Sequence, residues 1–423
     1  MNKRFYGWWI TIAAFFTFGI AVGIPYYGGP FFYDYYEKAF GWKRTQTTLG
    51  FPLAALFTLW VGPVLVHRFS PRKMIIIGTG CTALAFVGFG LQNGSLPVYY
   101  LLWFVYIAGY LFSGPIAHQV ITSHWFKRQR GRAMAIVYLG VGVFGGISAK
   151  YIETPITHAF GYRTALFAVA AIMFLAWPIA LFVMKDRPEE IGQFPDGAAT
   201  PAEDHKAEPK PIGFLLKSYS FWLLTIGSLC SIGAIGSINQ HMKFVFKEQG
   251  FTQQASLDQL FGNATLCILF SSIGGRLFMG YLADKFNKKL VMVATYALVA
   301  ATIPLLGMVR PENPNYVYVF SILFGFGMGA DYMLIPLMAA EQYGVNTLAR
   351  AMAFILPADT IGQTWFPFAV AKLHDQFGGY GLALNAVFAM SAIGAIAILL
   401  LPKSKRDDAT LQLQDARRAA ASH

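Results

Sequence analysis

Apolar stretches long enough to cross a bilayer recur along this 423-residue chain, and they constrain its fold more than any other feature. A helix of about 20 apolar residues spans the hydrocarbon core and satisfies its own backbone hydrogen bonds, which lipid cannot do. Twelve such stretches have the approximate limits 6–32, 47–66, 74–91, 97–122, 133–155, 163–184, 219–246, 256–282, 290–309, 315–340, 350–373 and 380–402. The sequence therefore predicts an all-α membrane protein with twelve transmembrane helices.

The composition excludes several other classes of protein. Hydrophobic residues make up 56% of the chain and charged residues 13%, whereas soluble domains carry about 25% charged residues. Three cysteines, Cys81, Cys230 and Cys267, lie in apolar stretches, so we expect neither a disulfide framework nor a metal site. The sequence contains no phosphate-binding loop, no two-histidine metal motif and no nucleophile elbow. We therefore expect no cofactor and no enzymatic activity.

The distribution of basic residues predicts the topology. Lysine and arginine together number 33, and 23 of them fall in the segments that face the cytoplasm if the N terminus is cytoplasmic. Cytoplasmic loops of membrane proteins carry such an excess, so both termini are predicted to be cytoplasmic. The net charge of +12 then reflects topology, and we expect no nucleic-acid partner. We expect a multi-pass protein of the cell inner (plasma) membrane, with a monomer as the functional unit.

A hydrophilic, proline-rich segment separates six apolar stretches from the next six, and its composition predicts a mobile linker. The predicted domains are a first six-helix bundle (1–184), a cytoplasmic linker (185–216), a second six-helix bundle (217–402) and a cytoplasmic tail (403–423).

Short motifs recur in the two halves in the same order. Arg132–Ala135 recurs as Arg350–Ala353, and Phe160–Gly161 recurs as Phe377–Gly378, at nearly the same offset. Matching motifs at one offset are typical of transporters built from parallel repeats. The sequence therefore predicts two parallel six-helix repeats.

One loop of the second half carries a family resemblance. Gly280–Lys289 resembles the signature loop of major facilitator transporters, in which a glycine, an acidic residue and a basic cluster join the second and third helices of each half. The first-half copy has His67 and Ser70 where the family has an aspartate and a glycine. The resemblance implies the major facilitator fold and transport by alternating access, with Asp284 as a gating residue.

Three further segments resemble one branch of that superfamily, the monocarboxylate porters and the oxalate/formate antiporters. These segments are Tyr6–Trp9, Trp125–Ala133 and Val183–Gly192. The resemblance extends to about residue 402. It implies that the substrate is a small organic anion, whose identity the sequence does not specify.

Three ionisable residues stand well inside apolar stretches: Arg276, Asp331 and Asp359. Such a residue costs several kcal/mol at mid-membrane unless it faces a cavity or a partner. From a helical rise of about 1.5 Å per residue, each lies about 12 to 15 Å from the cytoplasmic edge. We therefore expect one cation and two anions near the midplane, where transporters of this architecture bind substrate.

Arg276 is predicted to hold a substrate carboxylate. A guanidinium matches the two oxygens of a carboxylate and stays charged when it is dehydrated. Its position before Leu277–Asp284 also resembles that of the family's substrate arginine in the eighth helix. The alternative is a structural ion pair with Asp331 or Asp359, and the two roles are compatible if the pair opens when substrate arrives.

Asp331 and Asp359 are predicted to contribute to the substrate site and to carry a coupled proton. The resemblance places Asp359 where the oxalate/formate antiporter has a second substrate-binding cation, and it places Ser272 where proton-coupled porters have an aspartate. One arginine with two acids suits a monoanion that moves with a proton, or a substrate that carries an amine. The alternative for either acid is a structural role as the buried partner of Arg276 or of a hydroxyl group.

Other candidate residues complete the predicted site. His118 of the fourth helix is expected to line the cavity, or else to be a core histidine. Tyr27 resembles an aromatic pocket residue of the oxalate porter, with Tyr26 or a lipid-interface role as the alternative. Gln363 lies four residues after Asp359 and so on the same helix face.

Two more residues are predicted to act in gating. His241 lies towards the outer end of the seventh helix, far from the predicted central site, which favours an entry gate. Arg350 begins the eleventh helix at the cytoplasmic side and is predicted to act in gating.

These observations together predict a secondary active transporter that moves an organic monocarboxylate with a proton across the lipid bilayer. Within transport, the alternatives are a carrier of a zwitterionic or cationic solute and an anion exchanger. Outside transport, the alternative is a membrane sensor with the same fold. Flux in proteoliposomes separates these classes, because a sensor binds its ligand without moving it.

Overall fold

The structure of the protein, a computed structural model, describes residues 5–56, 69–126, 129–198 and 211–402. The described chain is almost entirely helical. Its main helices are α1 (Gly7–Phe40), α2 (Arg44–Thr48), α3 (Pro71–Leu91), α4 (Leu96–Trp125), α5 (Arg132–Phe160), α6 (Tyr162–Val183), α7 (Tyr219–Glu248), α8 (Gln254–Lys285), α9 (Lys288–Leu306), α10 (Tyr316–Tyr343), α11 (Val345–Phe377) and α12 (Tyr380–Leu399).

Ten helices of the described chain are long and apolar enough to cross a membrane, which confirms the predicted all-α membrane architecture. Half of the second predicted stretch, 47–66, lies outside the described ranges, because these omit residues 57–68. The eleventh corresponds to α11, a helix of 33 residues interrupted by neither of its two prolines. The count of twelve spans and the cytoplasmic termini stay predictions.

The helices pack mainly within their own half of the chain. In the first half α3 packs against α4 and α6, and α1 packs against α5; in the second, α8 packs against α10, α7 against α11 and α12, and α9 against α10 and α12. The contact between halves runs chiefly along α5 and α8. The interface between the halves is therefore formed chiefly by these two helices.

The repeat seen in the sequence has a structural counterpart. Gly161 ends α5 with φ of +86°, and Gly378, its counterpart in the second half, ends α11 with φ of +73°. A backbone with positive φ favours glycine, because side chains with a Cβ atom rarely adopt it. Corresponding helices of the two halves therefore end at corresponding glycines.

The first part of the predicted linker is folded onto the first half. The side chain of Gln193 accepts a hydrogen bond from the backbone N–H of Tyr6 at 2.9 Å. Asp186 accepts one from the backbone of Arg72 at 2.8 Å, and the indole of Trp125 donates to the carbonyl of Lys185 at 2.9 Å. The described part of the linker up to residue 198 thus packs as an extension of the first bundle.

We call the end of the bundle at which α1 ends and α8 begins the distal end. It lies opposite Gly7, where α1 begins. On the predicted topology the distal end faces the outside of the cell.

Candidate functional site

Arg276 lies on α8 near the contact between the two halves. Its Nε–H donates to the backbone carbonyl of Gly329 on α10 at 3.2 Å. A Cβ atom at Gly329 would overlap the carbonyl oxygen of Ser272, so α8 and α10 approach this closely only because residue 329 is glycine. Tyr27 of α1 and Tyr138 of α5 lie near the guanidinium from the other half. The arginine therefore faces the surface that α1 and α5 of the first half present.

The alternative role of Arg276, an ion pair with Asp331 or Asp359, is not present among the described ion pairs of this conformation. The ion pairs among the described residues do not include Arg276. Its hydrogen bond to Gly329 uses only Nε, and a guanidinium has five N–H donors. The two terminal nitrogens are those that a carboxylate fork engages.

Asp331 and Asp359 are both buried, and each is held by a serine of α7. Ser231 donates to Oδ2 of Asp331 at 2.5 Å, and Ser228 donates to Oδ1 of Asp359 at 2.6 Å. The two serines are three residues apart and so lie on one face of α7. The structure therefore brings the two predicted acids together on a single helix face.

Each carboxyl group keeps one buried oxygen without a well-formed hydrogen bond among the described residues, and the hydroxyl of the buried Tyr296 lies near Asp331. These oxygens are Oδ1 of Asp331 and Oδ2 of Asp359. Among the described ion pairs no cation accompanies either acid. A buried ionised carboxylate without a cation is costly, and a bound proton removes that cost. The pair therefore has the chemistry of a proton-binding site.

The helix α10 explains why the arginine and the acids are separated. Gly329, which accepts the hydrogen bond from Arg276, and Asp331 are two residues apart on α10. Two residues on a helix are about 200° apart, so they point to nearly opposite sides. The carbonyl of Gly329 faces α8, while Asp331 faces α7.

Gln363 bonds to Tyr26 across the two halves. Its side-chain amide donates to the Tyr26 hydroxyl at 2.7 Å, and Tyr26 and Tyr27 are in edge-to-face contact with their ring centroids 4.9 Å apart. Tyr27 therefore lies beside Arg276, and Tyr26 contacts α11. Tyr26 and Tyr27, the two alternatives for the aromatic pocket residue, thus lie at different positions of the same site.

His118 has both ring nitrogens in hydrogen bonds within the first half. Nε2 lies 2.9 Å from the hydroxyl of Thr17, and Nδ1 lies 2.9 Å from the carbonyl of Gly114. The ring also stacks on Phe18 at 4.6 Å between centroids. These contacts favour a role for His118 in the core of the first half over a role in lining the cavity.

The candidate gating residues lie in three places. His241 is buried between Tyr380 at 2.6 Å and the carbonyl of Pro367 at 2.8 Å, so these two contacts lie within the second half. Arg350 is half-buried in the first turns of α11. Asp284 lies in the last turn of α8, and its side chain is outside the described part of the chain.

Sequence reasoning missed a second set of buried charged residues. Lys243, Asp34 and Asp258 are buried together at the distal end, and Glu153 is buried in a π-helical turn of α5. Each lies near an end of an apolar stretch, where a charge resembles a loop residue. A lysine inside the apolar stretch 219–246 was the available signal.

Similarity to known proteins agrees with this geometry. The sequence model of the Major Facilitator Superfamily matches residues 65–278 and 254–422. The chain belongs to this superfamily. As members of it are transporters, the expectation of a non-enzymatic transporter is confirmed.

Curated relatives within the superfamily have different printed roles. Monocarboxylate transporter 10 of Danio rerio is 23% identical, over 94% of this chain and 78% of the relative. The multi-drug resistance efflux pump PmrA of Streptococcus pneumoniae is 26% identical, over 77% of each chain. A crystal structure of a bacterial homolog of the human lysosomal transporter Spinster shares the fold, with a TM-score of 0.65 at 13% identity, over 94% of this chain and 95% of that one.

The serine contacts of the acid pair give a first test. Replacing Ser228 or Ser231 by alanine leaves a buried carboxyl group without its donor, and we expect each change to lower the free energy of unfolding by about 1–3 kcal/mol. SDS titration of the purified protein in mixed micelles measures this. Ser391→Ala is the matched control, because the buried Ser391 hydroxyl has no hydrogen-bond partner among the described residues. Losses no larger than that of the control would contradict the assigned contacts.

Proposed function

We propose that this member of the superfamily is a secondary active transporter that couples an organic monocarboxylate to a proton. One observation carries the proposal. The second half holds a cation and two acids near each other, but the cation and the acids have different bonding partners. Arg276 is bonded to a backbone carbonyl beside the other half, while Asp331 and Asp359 are bonded to serines. Separate sites for an anion and a proton are what symport of the two requires.

In this proposal Arg276 binds the carboxylate. Its terminal nitrogens provide a planar fork at the level of Tyr27 and Tyr138, which belong to the opposite half. A substrate held there contacts both halves, and closure of the halves around it is then favoured by binding. Tyr26 and Gln363 form the contact between α1 and α11 that borders this site.

Asp331 and Asp359 take the proton. They lie within one bundle, buried from solvent, so an amine substrate has no direct path to them in this conformation. A proton needs no such space. This favours proton coupling over the zwitterionic or cationic substrate that two acids also suggest.

We further propose the topology that the sequence predicts. The two six-helix halves comprise 1–184 and 217–402, the linker 185–216 joins them, and both termini face the cytoplasm. The membrane is the cell inner (plasma) membrane, and the functional unit is a monomer.

The function is tested by flux. We expect purified protein in proteoliposomes to accumulate a monocarboxylate when the compartment outside the vesicles is more acidic. A panel of lactate, benzoate and phenylpyruvate, with a primary amine for comparison, identifies the substrate class. Saturable binding without flux would indicate a membrane sensor. Accumulation of the amine alone would show that the substrate is a cation and not a carboxylate.

The proposed role of Arg276 in binding the carboxylate predicts a large effect of a charge-conserving substitution. Arg276→Lys keeps the charge and loses the fork, so we expect binding of the transported carboxylate to weaken by roughly 1.5–3 kcal/mol, about 10- to 150-fold. Isothermal titration on the folded variant measures the dissociation constant. Arg310→Lys is the control, because Arg310 is exposed at the distal end. This variant should bind the carboxylate with the affinity of the wild type. An unchanged constant for Arg276→Lys would remove Arg276 from the binding site.

Proton coupling makes a separate prediction for the acids. Asp331→Asn or Asp359→Asn cannot bind and release the proton, so at least one should abolish uphill uptake driven by a pH gradient. Exchange of labelled for unlabelled substrate needs no net proton movement and should persist. Glu312→Gln, in an exposed distal loop, should leave both activities intact. Full pH-driven accumulation in both aspartate variants would contradict the assignment.

A further inference from the structure

A buried lysine joins two buried aspartates at the distal end. The Nζ atom of Lys243 on α7 lies 2.7 Å from Oδ1 of Asp34 on α1 and 2.8 Å from Oδ1 of Asp258 on α8. The lysine side chain is 1% exposed, and those of both aspartates are 0% exposed. The Coulomb attraction within such close, dry pairs exceeds that of surface pairs, and the cost of burying the charges opposes it, so a buried charge that loses its partner is strongly unfavourable.

Further contacts complete this cluster of Lys243, Asp34 and Asp258, which we call the distal cluster. The lysine donates to the carbonyl of Phe31 at 2.6 Å and lies 3.9 Å from the centroid of its ring. The amide of Gln254 donates to Asp34 at 2.7 Å and to Asp258 at 2.9 Å. The ammonium group of Lys243 therefore has three oxygen atoms within 2.8 Å.

The two halves of the protein contribute different residues to the distal cluster and to its contacts. Asp34 and Phe31 belong to the first half, whereas Lys243, Asp258 and Gln254 belong to the second. Asp258 also bonds to Tyr35 and to His158, both of the first half, the latter at 2.9 Å. Opening of the distal end must separate Lys243 from Asp34, while the pair with Asp258 can persist within the second half.

The charges explain why closure needs the lysine. When the halves close, two aspartates approach each other in a dry environment, and burial of an uncompensated charge is strongly unfavourable. Lys243 contacts one oxygen of each aspartate at 2.7 and 2.8 Å, and the amide of Gln254 donates to both carboxylates, which reduces the repulsion between them. The attraction exceeds the repulsion because it acts over the shorter distance.

We propose that Lys243 is the charge latch of the distal end: it holds the end closed by attracting Asp34 of the opposite half while it stays paired with Asp258 of its own half. The proposal rests on the alternating access of the transport cycle proposed above. It assigns the latch to residues outside the substrate site and outside the cytoplasmic signature loop.

The latch predicts that the effect of one substitution changes sign. In the wild-type background, Asp34→Asn removes an attraction that exists only when the distal end is closed, so opening becomes easier. In a Lys243→Gln background, Asp34 is an uncompensated buried acid facing Asp258, and Asp34→Asn removes a repulsion. Opening then becomes harder.

The assay measures opening by alkylation of a buried cysteine. Thr265→Cys serves as the probe, because Thr265 is buried and lines the cavity between the halves, and its hydroxyl has no hydrogen-bond partner in the described chain. The native cysteines are first replaced by alanine at positions 81, 230 and 267. The rate of reaction with a polar maleimide is proportional to the open fraction, so it can rise or fall even when that fraction is small.

We expect Asp34→Asn to raise the alkylation rate roughly 10-fold or more with Lys243 present, and to lower it by a similar factor in Lys243→Gln. If Lys243→Gln does not fold, the Lys243→Gln, Asp258→Asn background carries one acid fewer, and the rate should fall there too.

The control is a neighbouring pair that also joins the two halves. Lys247 of α7 lies 3.2 Å from Glu37 of α1 and is partly exposed, so its pairing is weakened by water. Glu37→Gln should change the rate little, with or without Lys247→Gln. A change of the same sign for Asp34→Asn in both backgrounds, or no change in either, would overturn the latch. The assay needs no substrate, so this result is independent of whether carboxylate flux is found.

Discussion

A charge buried in a membrane protein needs a partner. In this structure the kind of partner differs between the distal end and the centre. At the distal end the partner of Lys243 is a carboxylate of each half, at 2.7 and 2.8 Å. At the centre Arg276 is bonded to a carbonyl, and the two aspartates are bonded to serines. The charge of Lys243 is thus compensated by the protein itself. In the proposed function, a substrate anion and a proton compensate the central charges.

The helix α10 connects the two parts of the central site. It presents the Gly329 carbonyl to Arg276 on one side and Asp331 to α7 on the other. A shift of α10 therefore changes both contacts at once. The close approach of α8 and α10 at Gly329 leaves little room for one helix to move alone. This gives a physical route by which the state of the acids can affect the arginine.

The sequence was sufficient for the membrane class, the repeat and the three central ionisable residues. Arg276, Asp331 and Asp359 were recognisable because each is a lone charge deep in an apolar stretch. Their partners were not, because Ser228 and Ser231 are ordinary small residues whose role depends on which face of α7 meets α10 and α11.

The distal cluster was missed for a related reason. Asp34, Lys243 and Asp258 are far apart in sequence and lie near predicted helix ends, where charges are common. Only their meeting in three dimensions distinguishes them. The same holds for Gln363, which shares a helix face with Asp359 but bonds to Tyr26 of the other half. Helix periodicity predicts neighbours on one helix and not the partner across an interface.

The central claim is that one anion and one proton move together. The most direct test measures initial uptake of the identified monocarboxylate into proteoliposomes while the pH gradient and the membrane potential are set independently with ionophores. A carboxylate with one proton carries no net charge, so the account predicts uptake that rises with the inward proton gradient and does not change when the potential is varied. Uptake that follows the potential at constant pH, or that ignores the proton gradient, would contradict it.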